Sequence, residues 1–155
     1  MLDRSGRGPR ILTLIMALAA SLAVAGPAGA LELITEAESR LPPALTTGMP
    51  RGGITLGPGI VVVTPSPDRD VRAPFAVKVN FRPHGGSKID ASRVKIIYLK
   101  RPAVDLTARL RAAISEAGID LADATAPPGT HDIKIDVTDD AGRTKSAVVS
   151  FTVVK

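Results

Sequence analysis

Hydrophobic and polar residues alternate along much of the chain after Pro74, and this period predicts β-strands. Between residues 75 and 82 the odd positions are apolar and the even positions are polar or small, as in a strand with one buried face. The same period returns in residues 93–100, 133–138 and 147–153. The last two runs flank a short loop that contains Asp and Gly, which predicts a hairpin.

Residues 105–117 have a helical period instead. Asp105 or Thr107 can cap the start of this helix, and Gly118 is a suitable stop. A further short strand is expected over residues 119–126. These elements indicate a mainly β fold, an antiparallel sandwich or barrel with one short helical insertion. The helix positions expected to face the core are Leu106, Leu110, Ile114 and Ala117.

Proline and glycine dominate the segment before this region. Seven prolines and five glycines lie in the 35 residues from Arg40 to Pro74. Proline lacks the amide hydrogen and glycine costs backbone entropy, so this density excludes a long helix or a central strand. Residues 60–64 are the exception, because they are β-branched and bounded by turn residues, and they are predicted to form an edge strand. Residues 31–73 are therefore interpreted as a Pro/Gly-rich arm.

Residues 1–30 have the three parts of an export signal. Three arginines are followed by 14 mostly apolar residues, 11–24, and by small residues that end at Ala30. The apolar run fits the ~7–15 residues of a signal peptide and is shorter than the ~20 that span a bilayer. The sequence therefore predicts cleavage after Ala30 and a bacterial protein that is periplasmic or extracellular, with no stable membrane insertion once the signal is removed.

Composition narrows the function classes further. The 155 residues include 20 basic and 15 acidic ones, a formal net charge of +5, and residues 1–30 account for +2 of it, which leaves +3. The basic residues are scattered and aromatic residues make up 3 %, so a nucleic-acid interface is not expected. The absence of cysteine excludes disulfides, thiolate chemistry and lipoprotein acylation.

The C-terminal part of the chain contains Gly129, His131, the Ile/Val positions of 133–137, the Asp-x-x-Gly turn at 139–142, Arg143 and the Phe-Thr-Val ending at 151–153. Through these residues it is similar to the last two strands of bacterial immunoglobulin-like domains. This resemblance implies an immunoglobulin-like antiparallel β-sandwich over residues 74–155, and a role in binding or scaffolding rather than catalysis. Residues 74–155 also resemble small exported proteobacterial proteins of unknown function, through Ile89, Asp90 and residues 98–102.

His84 and Ser87 invite a catalytic interpretation. A histidine close to a serine is the start of a nucleophile and base pair, and His-Gly-Gly is similar to an oxyanion loop. The G-x-S-x-G elbow that hydrolases place around the serine is missing. Gly85 and Gly86 are explained more simply by a turn that needs positive φ.

His131, Asp139 and Asp140 are the candidates for a metal site. His131 lies 47 positions from His84 without metal-ligand spacing, so it is expected to pack, partly exposed, where its strand begins. The two aspartates could supply oxygen ligands to calcium. The usual calcium loop is absent, Arg143 would oppose a cation, and a tight hairpin requires Asp and Gly without any ion. No catalytic residue, cofactor or metal is therefore assigned.

The sequence thus predicts an exported, non-enzymatic immunoglobulin-like module of the bacterial cell envelope. Its parts are a signal peptide (1–30), an arm (31–73) and a β-sandwich domain (74–155). Its expected partner is an envelope protein or polymer that contacts sheet edges and end loops. A calcium-stabilised envelope module, and a small hydrolase that uses His84 and Ser87, are the alternatives.

Overall fold

The computed structural model describes residues 29–44, 57–67 and 69–155, which form a mainly β fold with two sheets. The predicted signal peptide lies outside the described residues except for residues 29 and 30. Helix α1 is Glu36–Ser39 and helix α2 is Thr107–Leu110, and 3-10 turns lie at Ala91–Arg93 and Arg111–Ala113. The strands are β1 (Leu31–Glu32), β2 (Gly59–Thr64), β3 (Val71–Arg72), β4 (Phe75–Arg82), β5 (Lys95–Tyr98), β6 (Val104–Asp105), β7 (Gly118–Thr125), β8 (Gly129–Thr138) and β9 (Thr144–Val154).

Both sheets are mixed rather than purely antiparallel, which corrects the expectation of an antiparallel fold. One sheet has the strand order β1-β7-β4-β2 and the other has the order β3-β9-β8-β5-β6. The parallel pairs are β1 with β7 and β3 with β9, and the remaining described pairs of strands are antiparallel. The two parallel strands have two residues each, so they add short edges to sheets whose longer strands pair as the alternation predicts.

The hydrophobic core receives side chains from both sheets. Of the inward positions predicted for β4, Phe75, Val79 and Phe81 are buried and Val77 is half-buried, and the even-numbered residues are exposed. The hairpin of β8 and β9 is also confirmed, with paired residues from Gly129 and Val153 to Thr138 and Thr144. The rings of Phe75 in one sheet and Phe151 in the other lie 5.5 Å apart, so the apolar faces of the two sheets meet.

The predicted helix over residues 105–117 is wrong in its length. The structure has one α-helical turn, α2, followed by the 3-10 turn at Arg111–Ala113. After that the chain reverses, because Ser115 and Gly118 exchange backbone hydrogen bonds of 2.8 and 3.2 Å and Ile114 pairs with Ile119. Gly118 therefore begins β7 instead of ending a helix.

The described residues of the segment interpreted as an arm contribute to both sheets and to the core. Leu33 and Ile34 follow β1 and are fully buried. The Leu33 amide donates to the Thr125 carbonyl at 2.9 Å. The predicted edge strand is present as β2, at one end of the four-stranded sheet. These residues are thus part of the folded unit that contains β4 to β9.

Candidate functional site

Strand β2 forms an open edge of the four-stranded sheet. Its run of β-branched residues favours an extended backbone, and Pro65 ends it because proline cannot donate to a strand ladder. It pairs with β4 on one side, in regular register from Gly59 opposite Arg82 to Val62 opposite Val79 and then, after a register shift at Val63, with Thr64 opposite Lys78. On its other side it has no strand among the residues that the structure describes. With six residues, it is longer than the described edge strands β1, β3 and β6.

Side chains on the solvent face of β2 are apolar. Ile60 and Val62 turn toward the core and are half-buried, whereas Val61 and Val63 point away from it and are 37 % and 43 % exposed. A solvent-facing edge position in a soluble protein is more often polar or charged, because apolar edges add strands from other chains. The two valine positions therefore lack the charged side chains that commonly prevent strand addition at a sheet edge.

The backbone of β2 can accept another strand. The Phe81 amide donates to the Ala117 carbonyl at 2.9 Å, so β4 residues with odd numbers turn their backbone groups toward β7 and those with even numbers turn theirs toward β2. Because Val61 is paired with Asn80, it shares hydrogen bonds with β4. The N–H and C=O groups of Ile60 and Val62 then face the open edge. No described residue hydrogen-bonds to them there, so they can pair with an added strand.

The structure does not join His84 and Ser87 as a base and a nucleophile. Ser87 Oγ lies 2.7 Å from the backbone carbonyl of His84 and 3.1 Å from Asp139 Oδ2, and both of these groups accept hydrogen bonds. Gly85 and Gly86 have φ of 64° and 77°, which confirms the turn conformation expected for them. The hydroxyl of Ser87 therefore connects the turn to Asp139.

Asp139 and Asp140 connect the β8–β9 turn to the loop at residues 84–88. Asp139 is fully buried, and its Oδ1 and Oδ2 each accept a 2.8 Å hydrogen bond from Arg143, from the amide and from Nε respectively. The Asp140 carboxylate accepts from the Lys88 amide at 3.1 Å. Burial alone would raise the pKa of Asp139, but the hydrogen bonds from Arg143 and Ser87 outweigh it and lower that pKa. A calcium ion would have to displace the guanidinium of Arg143 from this carboxylate.

His131 is fully buried, at 2 % exposure, so the expectation of a partly exposed ring is wrong. Its Nε2 lies 2.8 Å from the Pro127 carbonyl and its Nδ1 lies 2.8 Å from the Tyr98 hydroxyl. A carbonyl can only accept, so Nε2 carries the proton and Nδ1 of the neutral ring accepts from Tyr98. Burial lowers the pKa of His131 and raises that of Tyr98 to about 12. Both ring nitrogens are thus occupied, and neither has a lone pair for a metal ion.

The sequence did not reveal the contact between Glu38 and Arg109. The guanidinium donates to Glu38 Oε1 at 2.6 Å and Oε2 at 2.8 Å, and also to the Leu33 carbonyl at 2.9 Å. This ion pair connects helices α1 and α2 through residues that are 71 positions apart in the sequence. A Thr-x-x-Glu capping box at Thr35 was the available signal for α1, but nothing local indicates the arginine.

The described residues contain no further candidate for a metal site or a membrane span. In the described part of the chain, no group of three or more His, Asp or Glu side chains could hold a metal ion. No helix within residues 29–44, 57–67 and 69–155 is long and apolar enough to cross a membrane. Comparison with protein-family models, curated proteins and solved structures finds no match to the chain.

Proposed function

We propose that the chain is an exported, non-enzymatic binding or scaffolding module of the bacterial cell envelope, and that its fold is an immunoglobulin-like β-sandwich. Its partner is an envelope protein or polymer that contacts the open edge of β2. The observation that carries the proposal is the pair of exposed valines, Val61 and Val63, on an edge strand with available backbone groups.

The alternatives have less support from the geometry. A hydrolase would need the His84 ring against the Ser87 hydroxyl, but that hydroxyl contacts a carbonyl and a carboxylate. A calcium module would need carboxylate oxygens free for the ion, but those of Asp139 accept hydrogen bonds from Arg143 and Ser87. The edge of β2 needs no such rearrangement before it binds.

Site-specific photocrosslinking in cells tests the binding edge. A photoreactive benzoylphenylalanine replaces Val61 or Val63, and Val148 serves as the matched control because it is a valine of similar exposure, 38 %, on the other sheet. We expect the same discrete crosslinked product at positions 61 and 63 and no such product at 148. Equal products at all three positions, or none at 61 and 63, would contradict binding through β2.

Export is tested separately by cell fractionation and N-terminal sequencing. The proposal expects the processed protein in the periplasm or the medium, with Leu31 as its first residue, because the predicted cleavage follows Ala30. A variant with Ala28→Arg and Ala30→Arg, which removes the small residues that signal peptidase requires, should accumulate unprocessed. A wild-type protein that stays in the cytoplasm with residues 1–30 attached would contradict export.

A further inference from the structure

Arg82 lies at the end of the β2 edge, and a glycine makes room for it. Gly59 is paired with Arg82, and their side-chain positions lie on the same, solvent-facing side of the sheet. A Cβ built on Gly59 would stand 3.2 Å from Arg82 Cβ and 4.0 Å from Arg82 Cδ. The aliphatic part of Arg82 therefore leans over Gly59, in the direction of the strand edge.

The solvent face of this edge has an apolar part and a cationic part. Val63 and Val61 are the apolar positions, and two residues further toward the start of β2 the position is Gly59, covered by Arg82. Lys78 also lies near the edge, but it forms an ion pair of 3.3 Å with Asp120. Among the described residues no carboxylate lies within ion-pair distance of Arg82.

We infer that the partner of this edge is an extended protein segment with two apolar residues followed by an acidic one, spaced two residues apart along the strand. The inference rests on the proposed function and deepens it. Added antiparallel to β2, such a segment places its apolar side chains against Val63 and Val61 and its carboxylate beside Arg82. The backbone hydrogen bonds come from Ile60 and Val62, and the carboxylate sets the register and direction of the added strand.

Two other occupants of the β2 edge, a second copy of β2 and a polysaccharide, differ from an acidic peptide in their charge or in their backbone. A second copy of β2, with the sequence Gly-Ile-Val-Val-Val-Thr, carries no carboxylate for Arg82. A polysaccharide lacks the alternating N–H and C=O groups of a peptide strand, so it cannot pair with Ile60 and Val62. Charge complementarity at Arg82 therefore favours an acidic peptide segment over both.

The probe is the labelled heptapeptide acetyl-Thr-Val-Thr-Val-Thr-Asp-Thr, compared with the same peptide carrying Lys in place of Asp. Fluorescence polarisation with the purified protein should show about fivefold weaker binding of the Lys peptide at low salt, and a smaller difference at high salt. Arg82→Gln should abolish the preference for Asp over Lys. The matched control is Arg93→Gln, an exposed arginine outside β2 and β4, which should retain the preference.

Val61→Lys with Val63→Lys should remove binding of both peptides, while circular dichroism and thermal melting report whether this variant is folded. Binding of the Asp and Lys peptides with equal affinity, or no binding of the Asp peptide, would overturn the inference. Crosslinking at positions 61 and 63 to a partner without such an acidic segment would also overturn it and leave the proposed function in place. The absence of any crosslinked product at positions 61 and 63 would contradict the proposed function itself.

Discussion

The carboxylate of Glu38 accepts hydrogen bonds from more than one residue. It accepts two hydrogen bonds from Arg109 and one from the Thr35 amide. The hydrogen bonds from Arg109 are the main reason that the pKa of Glu38 falls from 4.5 to about 2. The side chains of Glu38 and Arg109 are only 17 % and 31 % exposed, so water screens the pair less than it screens a surface ion pair.

Glu38→Gln should lower the free energy of unfolding at pH 7 by about 1–3 kcal/mol, because the amide keeps the size but loses the charge. A carboxyl whose pKa is lower in the folded state stabilises fully above its unfolded pKa. The difference between wild type and variant should therefore persist above pH 4.5 and shrink as the pH falls toward about 2.

Urea denaturation between pH 2 and pH 7 measures this difference. The matched control is Glu36→Gln. Glu36 also lies on α1 and pairs with Arg40, the residue after the helix, but the two side chains are 61 % and 76 % exposed. That control should change stability by less than about 0.5 kcal/mol. An equal loss in both variants, or a loss at Glu38 that does not depend on pH, would contradict the assignment.

His131 should be neutral at pH 7, with its proton on Nε2. Burial lowers the pKa of His131 in the folded protein below the usual 6.5, so the neutral ring contributes fully to stability above pH 6.5. This contribution is lost as the pH falls below 6.5 toward the pKa of the folded state. The nitrogen-15 chemical shifts of the imidazole report the tautomer and the titration. A proton on Nδ1 at pH 7 would show that the hydrogen bonds to Tyr98 and Pro127 are assigned incorrectly. A titration midpoint above pH 6.5 would contradict the effect of burial on the ring.

Gly118 allows the close approach of strand β7 to strand β4. Its φ is +152°, and a Cβ there would lie 2.0 Å from the Val79 carbonyl oxygen. Gly118→Ala should cost about 3 kcal/mol or more, because backbone atoms would have to move apart. Gly86→Ala is the control, since its φ is +77° and nothing lies within 4 Å of the added methyl group. Thermal melting should show a loss of only about 1 kcal/mol for the control; equal losses would contradict the steric explanation.

The long strands could be predicted from the sequence because each contains its own period. Residues 75–82 of β4 alternate without a break, and the same period recurs in residues 133–138 and 147–153 of the β8–β9 hairpin, which is enough to show which face is buried. Strands β1, β3 and β6 have two residues each, too few to show any period. The helix was predicted too long because Ile114 keeps the helical spacing, although it pairs with Ile119 beyond the reversal of the chain.

Only part of the candidate site could be predicted from the sequence, because some of its contacts join residues that are far apart along the chain. The β-branched residues of β2 indicated an edge strand, but the position of Arg82 over Gly59 depends on a pairing across 23 positions of sequence. The hydrogen bond between His131 and Tyr98 likewise joins residues 33 positions apart. Partners so distant in sequence are brought together by the sheets, and no local pattern specifies them.

Residues on both sides of Pro74 build one core. Leu33 and Ile34 are each 1 % exposed, and β2 covers the side of β4 that faces away from β7. A fragment of residues 74–155 would lose these contacts and expose the faces that they cover. We therefore expect the fragment to lack a cooperative unfolding transition and to give poorly dispersed amide NMR spectra, whereas residues 31–155 should unfold cooperatively with dispersed spectra.

A point substitution tests whether the fragment loses stability because core contacts are missing or because the chain is shorter. Leu33→Ala in residues 31–155 should cost about 2–5 kcal/mol, because it leaves a cavity beside the two sheets. Leu31→Ala, at a half-buried position two residues earlier, should cost clearly less. If the fragment 74–155 melts within about 5 °C of the longer chain and Leu33→Ala is neutral, residues 31–73 are an arm that the fold does not need. If both lose stability as expected, β1 and β2 belong to the folded unit, and the edge that we propose for binding is part of the same core as β4 to β9.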